Sequence, residues 1–425
     1  MQKTLYVAIA TTLIVLKLLT GVAADDFQIV PSILVRQEYN DNIFFTSSDK
    51  VDDNITTVIG ALEISNRTEL LDLNLRGTVA PFFYWDNGDL DDVDQDYRGR
   101  AGYRFTERFS AGANAAYRVD NSPNRDVVTT GLVLNNDRRK TWHFGANAGY
   151  SLSEITAASL SYSYEDIDWK DPDAGRQGSS GYGLNLGLTR NLSRWLRPTT
   201  GRLNFGYSDW DYDTSKTSSF FGSVGMDSEL TEKFHFLVDI GARYVDSDFQ
   251  TVELVGVPPG VLVPKVVNRS NSGWGGIGSA GLQYSGLRTN AGLIFSHDLR
   301  TGGGTSPSVL TRLAGNFDYR LMEKLSVGLT AGAYRNKADR DDFSFQEIDT
   351  MTYNLRPRVR WEFYDNFTLE GAYTYTFVDD NAADDTRSQH RAYLQVAYGF
   401  SLFEIFDFIG AMETPAGGFP WPLPR

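Results

Sequence analysis

The stretch that decides the fold is residues 367–377, which read Phe-Thr-Leu-Glu-Gly-Ala-Tyr-Thr-Tyr-Thr-Phe. Apolar residues or glycine alternate with polar residues or alanine, and a period of two is the period of a β-strand with two different faces. Residues 71–83 and 97–105 repeat the pattern. Each segment is about ten residues long, the length with which a tilted strand crosses a bilayer. The pattern therefore predicts membrane-spanning strands.

Two kinds of connection alternate between these segments. The short kind places two or three polar residues between apolar ones, as in Phe105-Thr106-Glu107-Arg108-Phe109 and Leu230-Thr231-Glu232-Lys233-Phe234. Short turns are centred near residues 66, 107, 154, 194, 232, 286, 323 and 365. Their spacing makes a repeat of about 40 residues, and each repeat holds two strands.

The long kind of connection is rich in Asp, Asn, Gly, Ser and Pro. Examples fall near residues 46–51, 85–94, 120–138, 166–179, 211–217, 246–272, 300–307, 336–348 and 379–388. Eight turns and nine loops predict eighteen strands, with sixteen as the alternative count. An even number of strands places both termini on the short-turn side. The sequence thus predicts an all-β, transmembrane, antiparallel up-and-down β-barrel with short periplasmic turns and long extracellular loops.

A soluble propeller or sandwich also has alternating strands. A propeller repeat of this length would hold four strands of about five residues, whereas this repeat holds two strands of about ten. A soluble fold would also bury its apolar faces against one another. Here the polar faces carry charges on nearly every strand and must line a wet interior, which favours the membrane barrel.

The N-terminal residues have the features of a secretory signal peptide. Lys3 precedes an apolar run from Leu5 to Leu19, and Ala23-Ala24 offers small residues to signal peptidase. We expect cleavage after Ala24, since an uncleaved anchor helix would carry Lys17 inside its apolar run. The predicted domains are a signal peptide at 1–24, a barrel at 25–403 in the outer membrane of a Gram-negative bacterium, and a proline-rich, periplasmic tail at 404–425.

Composition excludes several classes of protein. The 425 residues include no cysteine, so disulfides and thiolate metal sites are absent, and the net charge of −14 argues against nucleic acid as a partner. The acidic loops lack the residue spacing of an EF-hand, so we expect no metal site and no cofactor.

Arginines recur on the polar faces of the predicted strands. The predicted channel-lining residues are Arg98, Arg100, Arg104, Arg202, Arg243, Arg312, Arg320, Arg356, Arg358 and Arg360. Under a structural interpretation they pair across strands with Glu38, Asp72, Glu165, Asp239, Glu362 and Glu370. Under a functional interpretation they tune a channel for anionic or hydroxyl-rich solutes. The sequence leaves both interpretations open.

An enzyme would have to use the four histidines, His143, His235, His297 and His390. Only His297 has an acidic neighbour, Asp298, and a nearby hydroxyl, Ser296. Adjacent residues on a strand point to opposite faces, so these three cannot form a catalytic relay. No catalytic residue is predicted.

Two further sets of residues have structural explanations. Trp85, Trp169, Trp210 and Tyr244 lie near the outer strand ends, where aromatic belts meet the bilayer interface. Residues 254–264 make the loop at 246–272 too apolar to move freely in water, so that loop should fold over the mouth or dock on another protein.

The first predicted strand opens with Val30-Pro31-Ser32-Ile33-Leu34-Val35-Arg36-Gln37-Glu38-Tyr39-Asn40-Asp41-Asn42-Ile43-Phe44. This opening resembles a family of outer-membrane β-barrel porins encoded with exopolysaccharide biosynthesis and export genes. Residues 150–156 and 160–164 are similar to the same family. The chain departs from the family at its end, where barrels of this type usually stop at an aromatic such as Phe400 or Phe403.

The resemblance implies a conduit for a secreted polysaccharide, working beside a periplasmic polysaccharide-export protein. Further expected partners are outer-membrane lipid, lipopolysaccharide and the barrel assembly machinery. Two alternatives stay open: a general diffusion porin for small solutes, and a plugged surface scaffold or adhesion barrel.

Overall fold

The computed structural model describes residues 26–121, 138–170, 178–194, 198–257, 261–301, 307–339, 342 and 347–399. The predicted signal peptide and the predicted tail at 404–425 lie outside these residues. No helix in the described part of the chain is long and apolar enough to span a membrane.

Within the described residues the chain forms eighteen strands and one short 3-10 turn, Gly88–Leu90. The strands are β1 (Asp26–Asn40), β2 (Asp53–Arg67), β3 (Leu71–Tyr84), β4 (Asp92–Arg104), β5 (Phe109–Asp120), β6 (Arg139–Ser153), β7 (Thr156–Trp169), β8 (Ser179–Asn191), β9 (Thr199–Tyr212), β10 (Ser215–Glu229), β11 (Phe234–Val257), β12 (Val261–Ser285), β13 (Thr289–Arg300), β14 (Ser308–Met322), β15 (Leu325–Ala338), β16 (Ile348–Tyr364), β17 (Phe367–Asp380) and β18 (Asp385–Tyr398).

Each strand pairs antiparallel with the next strand in the chain, and the sheet closes on itself. Closure is made by β1 and β18, whose pairing runs from Ile33↔Tyr398 to Asn40↔Arg391. The prediction of a closed, antiparallel, all-β barrel with eighteen strands is confirmed.

The two faces of the sheet differ as the sequence pattern predicts. On β16 the outward side chains of Tyr353, Leu355 and Trp361 are exposed, whereas the intervening Asn354 and Arg356 are buried on the inner side. The same alternation on the other strands gives the barrel an apolar outer wall and a polar inner wall. Such a wall suits a hydrocarbon solvent outside and water inside.

The eight predicted short turns join β2 to β3, β4 to β5, and so on to β16 and β17. One boundary was wrong: Asn66-Arg67 belongs to β2, and residues 68–70 make the turn. Thr106 and Thr231 explain the two similar turn sequences, since each hydroxyl accepts a backbone N–H three residues on, at 3.0 and 3.1 Å. At the β14–β15 turn, a 2.9 Å hydrogen bond to Asp365 raises the pKa of Lys324 above its usual value.

Two predicted long loops are wrong. Residues 211–217 are the ends of β9 and β10 around a two-residue turn, Asp213-Thr214. Residues 246–257 and 261–272 continue β11 and β12 as a paired ribbon, because valine, leucine and threonine favour a strand when a partner strand is available. The backbone N–H of Gln250 still donates to the carbonyl oxygen of Thr214 at 3.0 Å, and from Thr251 to Val257 β12 is the strand that pairs with β11 among the described residues.

Candidate functional site

The inner wall of the barrel is the candidate site, and strand alternation decides which side chains reach it. All ten predicted channel-lining arginines lie on inward faces. On β4, for example, Arg98, Arg100 and Arg104 alternate with the outward, exposed rings of Tyr97 and Tyr103. Strand alternation therefore places these arginines on the inner wall, and their partners determine what each can do.

One cluster of ion pairs lies on β14 to β17. Arg358 of β16 pairs with Asp318 of β14 across the intervening strand. Gly328 of β15 lies between them, and a Cβ at that position would collide with both side chains. Arg360 Nε lies 3.2 Å from Glu370 Oε2, and this carboxylate is 0% exposed. A buried carboxylate of this kind depends on its partners for stability.

A second cluster lies on β9 to β13. Arg202 Nη2 is 2.6 Å from Asp239 Oδ2. Arg243 donates two hydrogen bonds of 2.9 Å to Asp298, one to each carboxylate oxygen, and a third to Ser219 Oγ. A bidentate pair holds a guanidinium in one plane and one position. These arginines are structural parts of the wall.

On β4 and β5 one carboxylate serves two arginines. Asp96 Oδ1 lies 2.7 Å from Arg98 Nε, and Asp96 Oδ2 lies 2.6 Å from Arg118 Nε. Arg118 had not been predicted, although strand alternation alone places it on an inward position of β5, where it pairs in register with Asp96.

Three predicted arginines differ from the others. Among the described residues, Arg100, Arg104 and Arg320 make no ion pair with a carboxylate, and their side chains are exposed. Each lies toward the short-turn end of its strand, β4 or β14. The barrel therefore presents uncompensated guanidinium groups at the short-turn end of its lumen.

The two remaining predicted arginines lie on β14 and β16. The guanidinium of Arg312 lies 5.5 Å from the centroid of the Tyr334 ring, within the range of a cation–π contact. Arg356 is 8% exposed on the inner wall of β16. Neither side chain is as open to the lumen as the three at the short-turn end.

The predicted carboxylate partners are correct only in part. Asp239 and Glu370 pair with predicted arginines, as described above. Glu38 pairs instead with Arg391, at 3.3 Å, and Asp72 with Arg67, at 3.5 Å. Neither arginine had been predicted, because pairing depends on the register of neighbouring strands.

The predicted outer aromatic belt is half right. Trp85 and Tyr244 lie on the outer side, and Trp85 is 66% exposed. Trp169 and Trp210 instead occupy inward positions and are buried. The Trp210 ring covers Gly181 of β8, where a Cβ would collide with it. These two indoles line the lumen and belong to no belt.

The three residues that the sequence suggested for a catalytic relay do not share one face of β13. Ser296 and Asp298 lie on the inner face of β13, and His297 points outward, where its Nδ1 is 2.8 Å from Thr311 Oγ1. The predicted separation of the three side chains is confirmed. Within the part of the chain that the structure describes, no group of three or more His, Asp or Glu side chains could hold a metal ion.

No family model matches the sequence, and comparison with curated proteins gave no significant match. The structure is similar to OccAB3 of Acinetobacter baumannii, at 10% identity and a TM-score of 0.44, over 87% of this chain and 98% of that one. It is similar to the outer membrane protein OpdK of Pseudomonas aeruginosa, at 9% identity and a TM-score of 0.43, with coverages of 87% and 98%. It is also similar to the ferric-catecholate import receptor Fiu of E. coli K12, at 8% identity and a TM-score of 0.44, over 87% of this chain and 81% of that one. Similarities of this strength carry no argument about function, which depends on the lumen itself.

Proposed function

We propose that this chain is an outer-membrane channel through which an exopolysaccharide leaves the cell. The observation that carries the proposal is the set of uncompensated guanidinium groups of Arg100, Arg104 and Arg320. They lie toward the short-turn end of the lumen, which is the periplasmic end in barrels with this asymmetry of connections. A polymer leaving the periplasm would meet these groups first.

The outer wall supports the membrane part of the proposal. Large apolar side chains such as Phe205, Phe220 and Ile240 are more than half exposed on outward positions of three adjacent strands. In water they would form an apolar patch on the surface, whereas hydrocarbon solvates them well. A closed barrel also leaves no unpaired strand edge in the hydrocarbon layer.

The chemistry of the lumen supports the solute class. Guanidinium groups in a wet channel attract anions and donate hydrogen bonds to hydroxyl and carboxylate oxygens, which are the polar groups of polysaccharides. The ion pairs of the other arginines fix the positions of polar side chains on the inner wall. The wall therefore presents hydrogen-bond donors and acceptors at fixed positions. The resemblance of the first strand to exopolysaccharide-associated porins points to the same solute.

The proposed partner is a periplasmic polysaccharide-export protein that delivers the polymer to the short-turn end. The eight short turns and the unpaired arginines lie at this end of the barrel. Pull-down of an export protein by the wild-type barrel, and its loss on exchange of the exposed turn residues, would support this partner.

A gene deletion tests the proposal. Deletion should abolish extracellular polysaccharide while uptake of small sugars continues, and the wild-type gene should restore secretion. Arg100→Gln, Arg104→Gln and Arg320→Gln together should reduce secretion, whereas Arg335→Gln, on an exposed outward position at the long-loop end of β15, should not. Loss of small-solute uptake with normal secretion would favour the general diffusion porin. A barrel without conductance in planar bilayers would favour the plugged scaffold.

A further inference from the structure

The first long connection, residues 41–52 between β1 and β2, contains a strained and unusually buried turn. Phe45 has a φ of 54°. A bulky residue rarely adopts this backbone region, and such strain persists only where the surroundings impose it. Ile43 and Phe45 are each 3% exposed, whereas Phe44 between them is 39% exposed. Two apolar side chains are thus buried at the rim of a polar barrel.

Asn42 holds this turn together and is itself fully buried. Its Oδ1 accepts the N–H of Thr46 at 3.0 Å, and its Nδ2 donates to the carbonyl oxygen of Thr46 at 2.7 Å. Its carbonyl oxygen accepts the N–H of Phe45 at 3.1 Å. A buried amide with its hydrogen bonds satisfied fixes a single conformation. The turn is therefore a fixed part of the structure.

Side chains of the inner wall draw the turn inward. Gln389, on an inward position of β18, donates a 2.6 Å hydrogen bond to the carbonyl oxygen of Asn42. Asn40, on an inward position of β1, accepts the N–H of Asn42 at 3.0 Å. Both side chains point into the lumen, so the backbone that they hold lies over the lumen.

The next long connection, residues 85–91 between β3 and β4, is also held on the inner side of the rim. Asp53, on an inward position of β2, is 1% exposed. Its carboxylate accepts the backbone N–H groups of Trp85, Asp86 and Asn87 at 3.0 to 3.2 Å. Two consecutive outer connections are therefore anchored on the inner side of the rim.

We infer that residues 42–45 form a fixed inward turn that narrows the outer mouth and sets the upper size of the solutes that pass. The inference rests on the proposed channel and names the element that limits it. The Phe45 side chain supplies bulk at the mouth, and Asn42 holds it there.

Two variants separate the side chain from the turn. Phe45→Gly removes the ring and suits a positive φ, so it should leave the turn in place. Asn42→Ala removes the side-chain hydrogen bonds that hold the turn. Both should increase single-channel conductance in planar bilayers and admit longer oligosaccharides in liposome-swelling assays. Phe44→Gly is the matched control, since it removes an exposed ring from the same connection, and its conductance should stay at the wild-type value.

Heat-modifiable migration in SDS gels should first show that all three variants are folded. Conductance of folded Phe45→Gly and Asn42→Ala within the scatter of wild-type channels would overturn the inference. An increase in either, without one in Phe44→Gly, supports it.

A second measurement, cysteine labelling, does not require that the barrel conduct ions. The chain has no cysteine, so single cysteines can be labelled cleanly. Ile43→Cys should react slowly with a membrane-impermeant maleimide, Phe44→Cys should react quickly, and Asn42→Ala should speed the labelling of Ile43→Cys. Equal rates at the two positions would overturn the inference. A barrel that never conducts would overturn the proposed channel, and the inward turn would then be judged by labelling alone.

Discussion

Charges in the lumen fall into two kinds at the scale of single residues. Arg243 and Arg360 are held by carboxylates, and removing one member of a buried pair leaves the other charge uncompensated, at a cost of about 3–5 kcal/mol. Arg100, Arg104 and Arg320 have no such carboxylate among the described residues and are solvated by the lumen. Paired arginines should therefore govern stability, and unpaired ones should govern which ions pass.

The first prediction separates these two kinds of arginine. Changing Arg100, Arg104 and Arg320 together to Gln should leave the barrel folded and shift the reversal potential in a salt gradient toward cations. The shift should weaken with added salt, because the Debye length is about 10 Å at 0.1 M. Arg360→Gln is the contrasting variant. It should lower the unfolding temperature, since Glu370 is buried, and change selectivity less. Unchanged selectivity in the triple variant would remove these arginines from any role in ion passage.

The second prediction compares two neighbours on β3. Leu73 lies on the outer wall, and Asn74 lies on the inner wall, where its Nδ2 is 2.6 Å from Glu63 Oε1. Leu73→Arg should impair assembly, because a lipid-facing arginine costs about 2–4 kcal/mol at the bilayer midplane and about 1 kcal/mol near the interface, toward which Leu73 lies as an early residue of β3. Asn74→Arg should be tolerated, since the new guanidinium meets water and the Glu63 carboxylate. Equal folding yields would show that the two walls are assigned the wrong way round.

Features of the site that depend on one strand could be predicted from the sequence, whereas contacts that join several strands could not. The inward position of all ten arginines follows from a period of two within one strand. The pairing of Arg358 with Asp318 does not, because it joins β16 to β14 across Gly328 of β15. That contact requires two registers to be known at once. The inward turn at Asn42 escaped prediction for a similar reason, since its anchor, Gln389, lies on the last strand.

At the scale of elements, β11 and β12 stand apart from the other strands. They have 24 and 25 residues, and from Thr251 to Val257 β11 pairs with β12 alone among the described strands. Pairing of β12 with β13 begins at Gly278, so among the described strands only β11 pairs with β12 before that residue. Pro264, Lys265 and Arg269 lie in this part of β12, and proline and charge protect exposed edges from pairing with other chains.

The third prediction concerns this ribbon. Replacing residues 253–265 by Asn-Gly joins the paired residues Val252 and Val266 through a two-residue turn, which suits a hairpin. The described residues of this stretch, 253–257 and 261–265, pair as strands only with one another, so folding yield and heat-modifiable migration should not change. A longer excision, with Asn-Gly in place of residues 245–273, also removes the pairing of β11 with β10 up to Phe249 and should reduce the yield. Equal damage from both excisions would mean that the ribbon supports the barrel.

The strands that were predicted from the spacing of the repeat were predicted well. The loops that were predicted from amino-acid composition were predicted poorly. Asp213 and Thr214 make a two-residue turn that polar composition had suggested was a long loop. Apolar composition had suggested a docking loop for residues that extend two strands. Trp169 and Trp210 were assigned to a belt from their distance to the strand ends, although their parity along β7 and β9 places them inside. Parity is a more reliable guide to the side of a barrel wall than residue type.

At the scale of the whole molecule, closure joins the two ends of the chain. β1 pairs with β18 only from Ile33 to Asn40, while its first residues pair only with β2. Pro31 lies where the pairing with β18 stops, and its carbonyl oxygen faces Gly399 on that side. Proline lacks an N–H and is tolerated on an edge that needs none. Among the described residues, the pairing of β1 with β18 therefore covers the long-loop half of β1 and begins at Ile33.

The last prediction tests this closure. A closed ladder resists invasion by detergent, so the unheated protein should migrate in SDS gels as a compact band that boiling abolishes. Leu394→Pro, in β18 between two partners, removes a ladder hydrogen bond and should lower the temperature at which the compact band is lost. Ile29→Pro is the control, because Ile29 has the parity of Pro31 and precedes Ile33, where the pairing of β1 with β18 begins among the described residues. The compact band of the Ile29→Pro variant should be lost at the same temperature as that of the wild-type protein. A band insensitive to boiling would contradict the closed ring, and equal destabilisation by both prolines would show that the edge of β1 at Ile29 is paired.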